Sequence, residues 1–337
     1  MMITLDGSEG GGQLLRTALS LSLITGKAFR MTRIRGARPK PGLMRQHLTC
    51  VLAAQEVGDA SADGASIGSQ ELVFTPGKIR SGDFHFAIGT GGSTTLVLQT
   101  LLPALLHAPG PGTVRIEGGT HNPMAPPFEF VEQCFLPVLK CMGVKATVTL
   151  ERPGFMQAGG GSLFAEVQPI KKWKKLALTE RGEFIENFGL VLNAHLANSI
   201  VDREIAAASQ ALKWDASQIK LQPANQSSGP GNIIMLGARH EHVTEISSSV
   251  AQLGRSAESV GESAAKGLRN YLGNTAAVGV HLADQLLLPL ALAGTGKFTT
   301  FALSNHSKTS MALIPKFMDV RLEITEAASG VKEIRVQ

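Results

Sequence analysis

One pattern recurs three times along the chain: a glutamine inside an apolar, helix-like segment, then a glycine, then a short segment typical of a strand. The glutamines and the glycines that follow them are Gln13 and Gly26, Gln99 and Gly112, and Gln285 and Gly296. Each copy predicts a helix, a glycine that caps it, and a strand. Because one such unit cannot bury its apolar surface alone, the chain is expected to fold by packing repeats against one another.

A second helix-like segment follows each copy, at Pro41–Val57, Pro126–Met142 and Ser310–Met318. The last two continue into strand-like segments, at Val144–Leu150 and Asp319–Thr325. Each repeat is therefore predicted to be a strand–helix–strand–helix unit in which two helices cover a sheet.

The spacing of the repeats locates an insertion. Gly26 and Gly112 are 86 residues apart, whereas Gly112 and Gly296 are 184 residues apart, so the second interval holds 98 more residues. That excess is enough for a small domain. Residues 183–273 contain both strand-like and helix-like segments, and they are predicted to form an inserted α+β domain. Residues 1–182 and 274–337 would then form the main domain, with the third repeat interrupted.

Composition favours an ordinary folded protein. Hydrophobic residues make up 43% and charged residues 18% of the 337 residues, which excludes a disordered chain. The net charge of +5 is compatible with polyanionic partners. Three cysteines argue against a disulfide framework and favour a reducing compartment, and Cys134 and Cys141 are expected to be buried thiols. Neither a secretory signal nor an apolar run of membrane length is visible, so a cytoplasmic protein is expected.

Two glycine-rich segments, Gly10–Gly12 and Gly89–Gly92, precede helices of the first two repeats. Backbone N–H groups at such helix starts can hold a phosphate, but tight turns also require glycine, and the local pattern does not choose between these roles. Basic residues crowd the region after the second strand of repeat one, where a polyanion site and a solvated face are both open interpretations. These residues are Arg33, Arg35, Arg38, Lys40 and Arg45.

A second basic run, Lys171–Lys175, contains Trp173. It is expected to be a surface loop, although a basic loop with one stacking ring could contact a strand of RNA.

His306 and His121 occupy equivalent places, each after a strand of its repeat. A histidine on a loop at a strand end, near anion sites, is placed to act as a nucleophile or general base. Either residue taken alone is more often a simple hydrogen-bonding group. The motifs of lysine nucleotidyltransferases, serine hydrolases and zinc proteases are absent from the sequence.

Four motifs occur in a characteristic order: Glu9–Gln13 (EGGGQ), Arg38–His47 (RPKPGLMRQH), Asn122–Pro127 (NPMAPP) and His281–Gln285 (HLADQ). Together with His306, they make essentially the whole chain resemble the RNA 3′-terminal phosphate cyclase family. The resemblance implies an α/β (α+β) fold of three β-α-β-α units around a pseudo-threefold axis. A small α+β domain would be inserted before the third unit, and the architecture is distantly shared with enolpyruvyl transferases.

The same resemblance implies that the chain uses ATP and a divalent cation, Mg²⁺ or Mn²⁺, to convert an RNA 3′-phosphate to a 2′,3′-cyclic phosphate. His306 matches the family's nucleophile, which takes AMP as a histidine phosphoramidate and releases pyrophosphate. AMP then passes to the RNA 3′-phosphate, and the neighbouring 2′-hydroxyl displaces it. The implied partners are an RNA 3′-phosphate end and ATP, with no membrane.

The resemblance also assigns residues to the site. The nucleotide pocket would contain Gln99, Pro126, His281, Leu282, Ala283, Asp284 and Gln285. Glu9 would bind the metal. Arg16, Arg38 and Arg45 are assigned to contacts with phosphates of RNA or ATP.

Three positions depart from the family pattern. His281 stands where the family usually has tyrosine, Ser310 stands where asparagine is frequent, and the loop that contains Glu9 is about two residues shorter than usual.

Two other functions stay open from the sequence. A non-catalytic branch of the family acts in ribosome assembly and lacks the nucleophilic histidine, and an enolpyruvyl transferase-like enzyme would need neither that histidine nor an ATP pocket. The presence of His306 and of the pocket residues favours the cyclase. The sequence leaves the oligomeric state open, a homodimer included.

Overall fold

The computed structural model describes residues 2–156, 158–327 and 330–337. Within them, the strands form four four-stranded sheets, one for each repeat and one for a segment that precedes the first helix of the third repeat. The first repeat runs through β1 (Ile3–Asp6), α1 (Gly11–Thr25), β2 (Phe29–Thr32), α2 (Arg45–Gly58), β3 (Ser61–Asp63) and β4 (Leu72–Thr75).

The second repeat has the same element order. It consists of β5 (Gly82–Ala87), α3 (Thr94–Leu105), β6 (Gly112–Gly118), α4 (Phe128–Phe130), a π-helical turn (Val131–Phe135), α5 (Leu136–Cys141), β7 (Lys145–Arg152) and β8 (Gly161–Gln168). The π-helical turn joins α4 and α5, so these three elements correspond to the single helix predicted at Pro126–Met142.

After β9 (Leu176–Leu178), the chain builds the fourth sheet before it returns to the third repeat. This segment consists of β10 (Phe184–Ala194), α6 (Asn198–Leu212), a 3₁₀ turn (Ala216–Gln218), β11 (Ile219–Pro223), β12 (Gly231–His240), β13 (Thr244–Val250) and α7 (Ala257–Leu272). All of these elements lie within the range 183–273 predicted for the insertion, and the division into domains at those residues stays a prediction.

The third repeat then continues through α8 (Val280–Ala293), β14 (Gly296–Thr300), α9 (Asn305–Phe317), β15 (Leu322–Glu326) and β16 (Lys332–Val336). In all three repeats, the first two strands pair in parallel and the last two form an antiparallel pair beside them, with sheet orders β1-β2-β4-β3, β5-β6-β8-β7 and β9-β14-β16-β15. The chain therefore has a mixed α+β fold. Each repeat has four strands, so two strands follow the predicted strand–helix–strand–helix unit.

The glycines of the repeat pattern do not all have the predicted role. Gly26 caps α1 in the left-handed conformation, with φ of 68°. Gly112 and Gly296 were expected to cap helices but are the first residues of β6 and β14, so that prediction is wrong for them. At Gly296 a Cβ would lie 2.7 Å from the carbonyl oxygen of Leu176 on β9, so the parallel pairing requires glycine there.

The fourth sheet has apolar residues on both of its faces. Along β12, Ile233 and Met235 belong to the large core that the three repeats share, whereas Ile234 and Leu236 pack in a smaller core with α6 and α7. Successive side chains of a strand point to opposite faces. One face of this sheet therefore packs on the core of the repeats, and the other face packs on α6 and α7.

The cysteines are free, and Cys50 and Cys134 are buried as small apolar residues usually are. Cys141 is exposed, so the expectation of a buried thiol is wrong for this residue, which lies at the end of α5.

Candidate active site

A cavity of about 490 Å³ lies among the first helices of the three repeats and β13. The glutamines of the repeat pattern, Gln13, Gln99 and Gln285, all line it. They occupy α1, α3 and α8, and α1 packs against α3 and α9 while α8 packs against α9. Repeat packing therefore brings equivalent side chains of three distant segments to one place.

The cavity presents polar atoms that have no hydrogen-bond partner. Within the described residues, Gln99 Nε2, Gln285 Oε1 and Asn122 Oδ1 are buried and unpartnered. A buried polar atom without a partner is destabilising by about 1–3 kcal/mol. Because all three residues line the cavity, a bound polar ligand could supply the missing hydrogen bonds.

His306 lies in the first turn of α9, at the edge of this cavity. The sequence placed it on a loop and began the helix at Ser310, and this prediction is wrong because α9 begins five residues earlier. Ser304 caps the helix by accepting a hydrogen bond from the backbone N–H of Ser307 at 3.0 Å.

Asp284 holds the start of α9 from the neighbouring helix α8. Its Oδ1 accepts hydrogen bonds from the hydroxyl groups of Ser304, at 2.6 Å, and of Ser307. A carboxylate that binds two hydroxyl groups is a strong, charge-assisted anchor. Asp284 lines the cavity, but its contacts show that it also fixes the turn that carries His306.

The surroundings of His306 favour a neutral imidazole. Partial burial lowers the pKa of His306, and the positive charges of Arg16 and Arg38 and the His281 ring lower it further, whereas Asp284 opposes the shift. A neutral imidazole has a free lone pair and is the form that can attack phosphorus.

Arg16 is a buried cation without a carboxylate partner. Its side chain is only 9% exposed, and its Nη2 donates to Gln13 Oε1 at 3.0 Å. It forms no ion pair with any residue that the structure describes. Burial lowers the pKa of the Arg16 guanidinium. Since Arg16 lines the cavity beside His306, it can bind an anion there.

The glycine-rich loop before α1 lies next to this cation. A Cβ at Gly12 would collide with the His47 ring and come within 2.9 Å of Arg16 Nη1, and Arg38 Nη2 lies 3.4 Å from the Cβ position of Gly11. The helix has no acidic residue in its first turn and no side-chain cap. Its free N–H groups and two arginines therefore suit a phosphate.

The remaining predicted residues divide into three groups. Pro126 and His281 line the cavity, as the nucleotide-pocket assignment requires. Leu282 and Ala283 are instead fully buried in the core. The helix has 3.6 residues per turn, so when His281, Asp284 and Gln285 face the cavity, the two residues between them face away from it.

Glu9 and Arg45 are exposed and do not line the cavity. Across residues 2–156, 158–327 and 330–337, no group of three or more His, Cys, Asp or Glu residues could hold a metal ion. A cation at Glu9 would thus have at most two such side chains of the described residues as ligands, and its other ligands would come from water or a bound phosphate.

His121, the counterpart of His306 in repeat two, has a structural role. The ring is fully buried, with Nε2 2.9 Å from Glu129 Oε2 and Nδ1 2.7 Å from the Thr120 hydroxyl oxygen. Both ring nitrogens have partners, so the residue stabilises the loop that leads to Pro126, which is the hydrogen-bonding role left open from the sequence.

Sequence reasoning missed the wall that β13 contributes. Ser247, Ser248, Ser249 and Arg255 line the cavity from the fourth sheet and the loop after it. Glu245, on the same strand, accepts a hydrogen bond from the backbone N–H of Gly279 at 3.0 Å and so joins β13 to the start of α8. The serine run in the sequence was the available signal, but nothing local shows which surface it faces.

Trp173 also lines the cavity, although the sequence predicted a surface loop there. The lysines around it are exposed as expected, whereas the indole ring turns inward.

Comparisons with known proteins agree on one family. A family model described as RNA 3′-terminal phosphate cyclase matches residues 7–324. The chain is 48% identical to the RNA 3′-terminal phosphate cyclase of Koribacter versatilis over 96% of this chain and 92% of the relative. It is 47% identical to the protein of the same name from Ectopseudomonas mendocina, over 99% of this chain and 98% of the relative. None of the described helices is long and apolar enough to span a membrane.

Proposed function

The chain belongs to the RNA 3′-terminal phosphate cyclase family, and we propose that it converts an RNA 3′-terminal phosphate to a 2′,3′-cyclic phosphodiester at the expense of ATP. The observation that carries the proposal is the juxtaposition of His306 with the buried, unpaired cation Arg16 in one cavity that also presents unpartnered amide groups.

The first step joins His306 to AMP. The neutral imidazole attacks the α-phosphorus of ATP, a nitrogen–phosphorus bond forms, and the bond from phosphorus to the pyrophosphate oxygen breaks. Arg16 and Arg38 stabilise the charge that develops on the pyrophosphate. The low pKa of His306 keeps the nucleophile neutral near pH 7.

The next two steps use the bound AMP as an activating group. An oxygen of the RNA 3′-phosphate attacks the phosphorus of the histidine adduct, so the nitrogen–phosphorus bond breaks and a phosphoanhydride forms. The neighbouring 2′-hydroxyl then attacks the RNA phosphorus, loses its proton and expels AMP. A phosphate monoester lacks a good leaving group, and the anhydride supplies one.

The adenosine of ATP would lie between Pro126 and His281, which line the same cavity. Gln99 Nε2 can donate to an acceptor on the ligand, and Gln285 Oε1 can accept from a donor. Asp284 positions His306 through the start of α9.

The residues present fit a weakly held divalent cation. Mg²⁺ is usually bound through one or two carboxylates together with substrate phosphates, and Glu9 is the carboxylate at the glycine-rich loop. Such a cation, Mg²⁺ or Mn²⁺, would neutralise charge on the phosphates of ATP. The three free cysteines favour a reducing compartment such as the cytoplasm.

Incubation with α-³²P-labelled ATP and Mg²⁺ or Mn²⁺ tests the proposal. We expect the protein to acquire label that is released in acid and retained in alkali, as a phosphoramidate requires. His306→Ala should abolish the label, whereas His242→Ala, at an exposed position outside the cavity, should retain it.

Label that persists in His306→Ala would refute the assignment of the nucleophile. Absence of label in the wild type, with retained affinity for RNA, would favour the non-catalytic binding protein. Conversion of a 3′-phosphate RNA to a cyclic end, with a 3′-hydroxyl RNA unchanged, would support the complete reaction.

A further inference from the structure

Trp173 lies in a basic segment, Lys171–Lys175, and has an unusual environment. Its indole Nε1 is buried and has no hydrogen-bond partner among the described residues, and the ring lines the same cavity as His306. The ring centroid lies 6.3 Å from that of His107, at an angle of 34°. A buried indole N–H without an acceptor is unfavourable, so Trp173 has an unsatisfied donor in a ring that lines the cavity.

The segment around Trp173 is fixed at both ends. The backbone N–H of Ile170 donates to the carbonyl of Leu106 at 2.8 Å, and that of Lys174 donates to the carbonyl of Met142 at 2.8 Å. These bonds hold it across the ends of α3 and α5. The segment is thus a fixed part of the cavity rim.

Positive charge surrounds Trp173 on the outside. Lys171, Lys172, Lys174 and Lys175 are all exposed, and none forms an ion pair with a residue in the described ranges. The backbone N–H of Gly143 donates to the carbonyl of Lys140, and Gly143 lies against Lys174, so the exposed Lys140 adds to the same surface. Unpaired lysines at a cavity mouth complement a chain of phosphates.

We propose that the segment Lys171–Lys175 binds single-stranded RNA just upstream of its 3′ end. Trp173 contacts a terminal nucleotide inside the cavity through its ring and its indole N–H, and the lysines bind the phosphates that precede it. This proposal takes the identity of the nucleic acid from the proposed function. It adds a binding site for the RNA strand upstream of the 3′ end, which the groups near His306 do not define.

Salt dependence of RNA binding tests the lysines. The probe is a 12-nucleotide single-stranded RNA with a 5′-fluorescein and a 3′-phosphate, titrated by anisotropy between 50 and 200 mM salt. Each lost phosphate contact lowers the slope of log affinity against log salt by about 0.7 for a single strand. We therefore expect the quadruple variant K171A/K172A/K174A/K175A to lose a slope of up to about 3, and to bind roughly 10- to 100-fold more weakly at 50 mM salt.

The control is K78A/K220A, which removes two exposed lysines outside the segment Lys171–Lys175. Its slope should stay near that of the wild type. Equal slopes for the quadruple variant and the wild type would overturn the proposal. Loss of the histidine–AMP adduct in the quadruple variant would also overturn it, because the adduct forms without RNA and the lysines would then belong to the ATP site.

Fluorescence tests Trp173 directly, because the chain has two tryptophans and Trp214 can be replaced by phenylalanine. In that background we expect the 3′-phosphate RNA to change the emission of Trp173. In the wild-type background, Trp173→Ala should weaken RNA binding about 5- to 150-fold, the range for one stacked base. A response to ATP alone, with none to RNA, would place Trp173 in the nucleotide site and refute the proposal. These binding assays need no catalysis, so they remain informative even if the adenylylation chemistry fails.

Discussion

The buried charge of Arg16 should stabilise a bound anion and destabilise the ligand-free protein. The variant Arg16→Met allows these two effects to be measured separately. Burial of a charged group is unfavourable by several kcal/mol after the protein relaxes. Among the described residues, the Arg16 side chain donates one hydrogen bond, to the neutral oxygen of Gln13, which recovers about 1.5–3 kcal/mol. Methionine has a similar length and no charge. We therefore expect Arg16→Met to be more stable than the wild type by about 1–3 kcal/mol, while formation of the histidine–AMP adduct falls by at least about 100-fold.

Thermal unfolding in the absence of nucleotide measures the first effect. A gain of 1–3 kcal/mol corresponds to an increase in Tm of roughly 1.5–4 °C in a chain of this size. Pyrophosphate measures the second effect, since a ligand at 100 times its Kd stabilises a protein by about 2.7 kcal/mol. It should raise the Tm of the wild type and leave that of Arg16→Met unchanged.

Arg45→Met is the control, because Arg45 is exposed and does not line the cavity. Its Tm should differ from the wild-type value by less than about 1 °C. Arg16→Met could instead be less stable than the wild type while Arg45→Met is unchanged. The buried guanidinium would then stabilise the ligand-free fold rather than destabilise it. That result would refute the reasoning.

Three further predictions concern titration and the anchoring of α9. The rate of adduct formation should rise with pH and level off with a midpoint below 6.5, because the pKa of His306 is lowered, and Arg38→Ala should move that midpoint upward. A double-mutant cycle between Asp284→Ala and Ser304→Ala should give a coupling of about 1–3 kcal/mol in thermal unfolding, and additive effects would exclude the anchor. Burial raises the pKa of Glu245 to about 7, so the folded protein loses stability as pH rises from about 4.5 to 7. Glu245→Gln should remove about 3 kcal/mol of that loss between pH 5 and pH 8. Unfolding curves at the two pH values check it, and a parallel loss in the variant would contradict it.

The repeat pattern carried most of what the sequence could predict. Gln13, Gln99 and Gln285 mark equivalent helix positions, and equivalent positions converge when repeats pack around one another. The pattern could not show the last strand of each repeat. Segments such as Leu72–Thr75 are only four residues long, and they become strands through pairing with distant partners.

The position of His306 shows a different limit. No apolar residue occurs between Ser304 and Thr309, so hydrophobic periodicity begins only at Ser310 and the first turn of α9 was taken for a loop. Ser304 is nevertheless a good helix cap, and the capping signal was available in the sequence. Periodicity detects only helix faces that pack on a core, and a turn that presents His306 to a cavity has no such face.

The fourth sheet is connected to the start of α9 through hydrogen bonds, which neither the repeats nor the motifs of the sequence could reveal. β13 closes the cavity with its serines, and Glu245 on that strand accepts a hydrogen bond from Gly279, immediately before α8. Asp284, on α8, in turn holds the start of α9 and with it His306. A chain of direct contacts thus joins β13 to the turn that carries His306, the proposed nucleophile. Because Glu245 and Asp284 accept the hydrogen bonds that make these links, loosening β13 should displace His306.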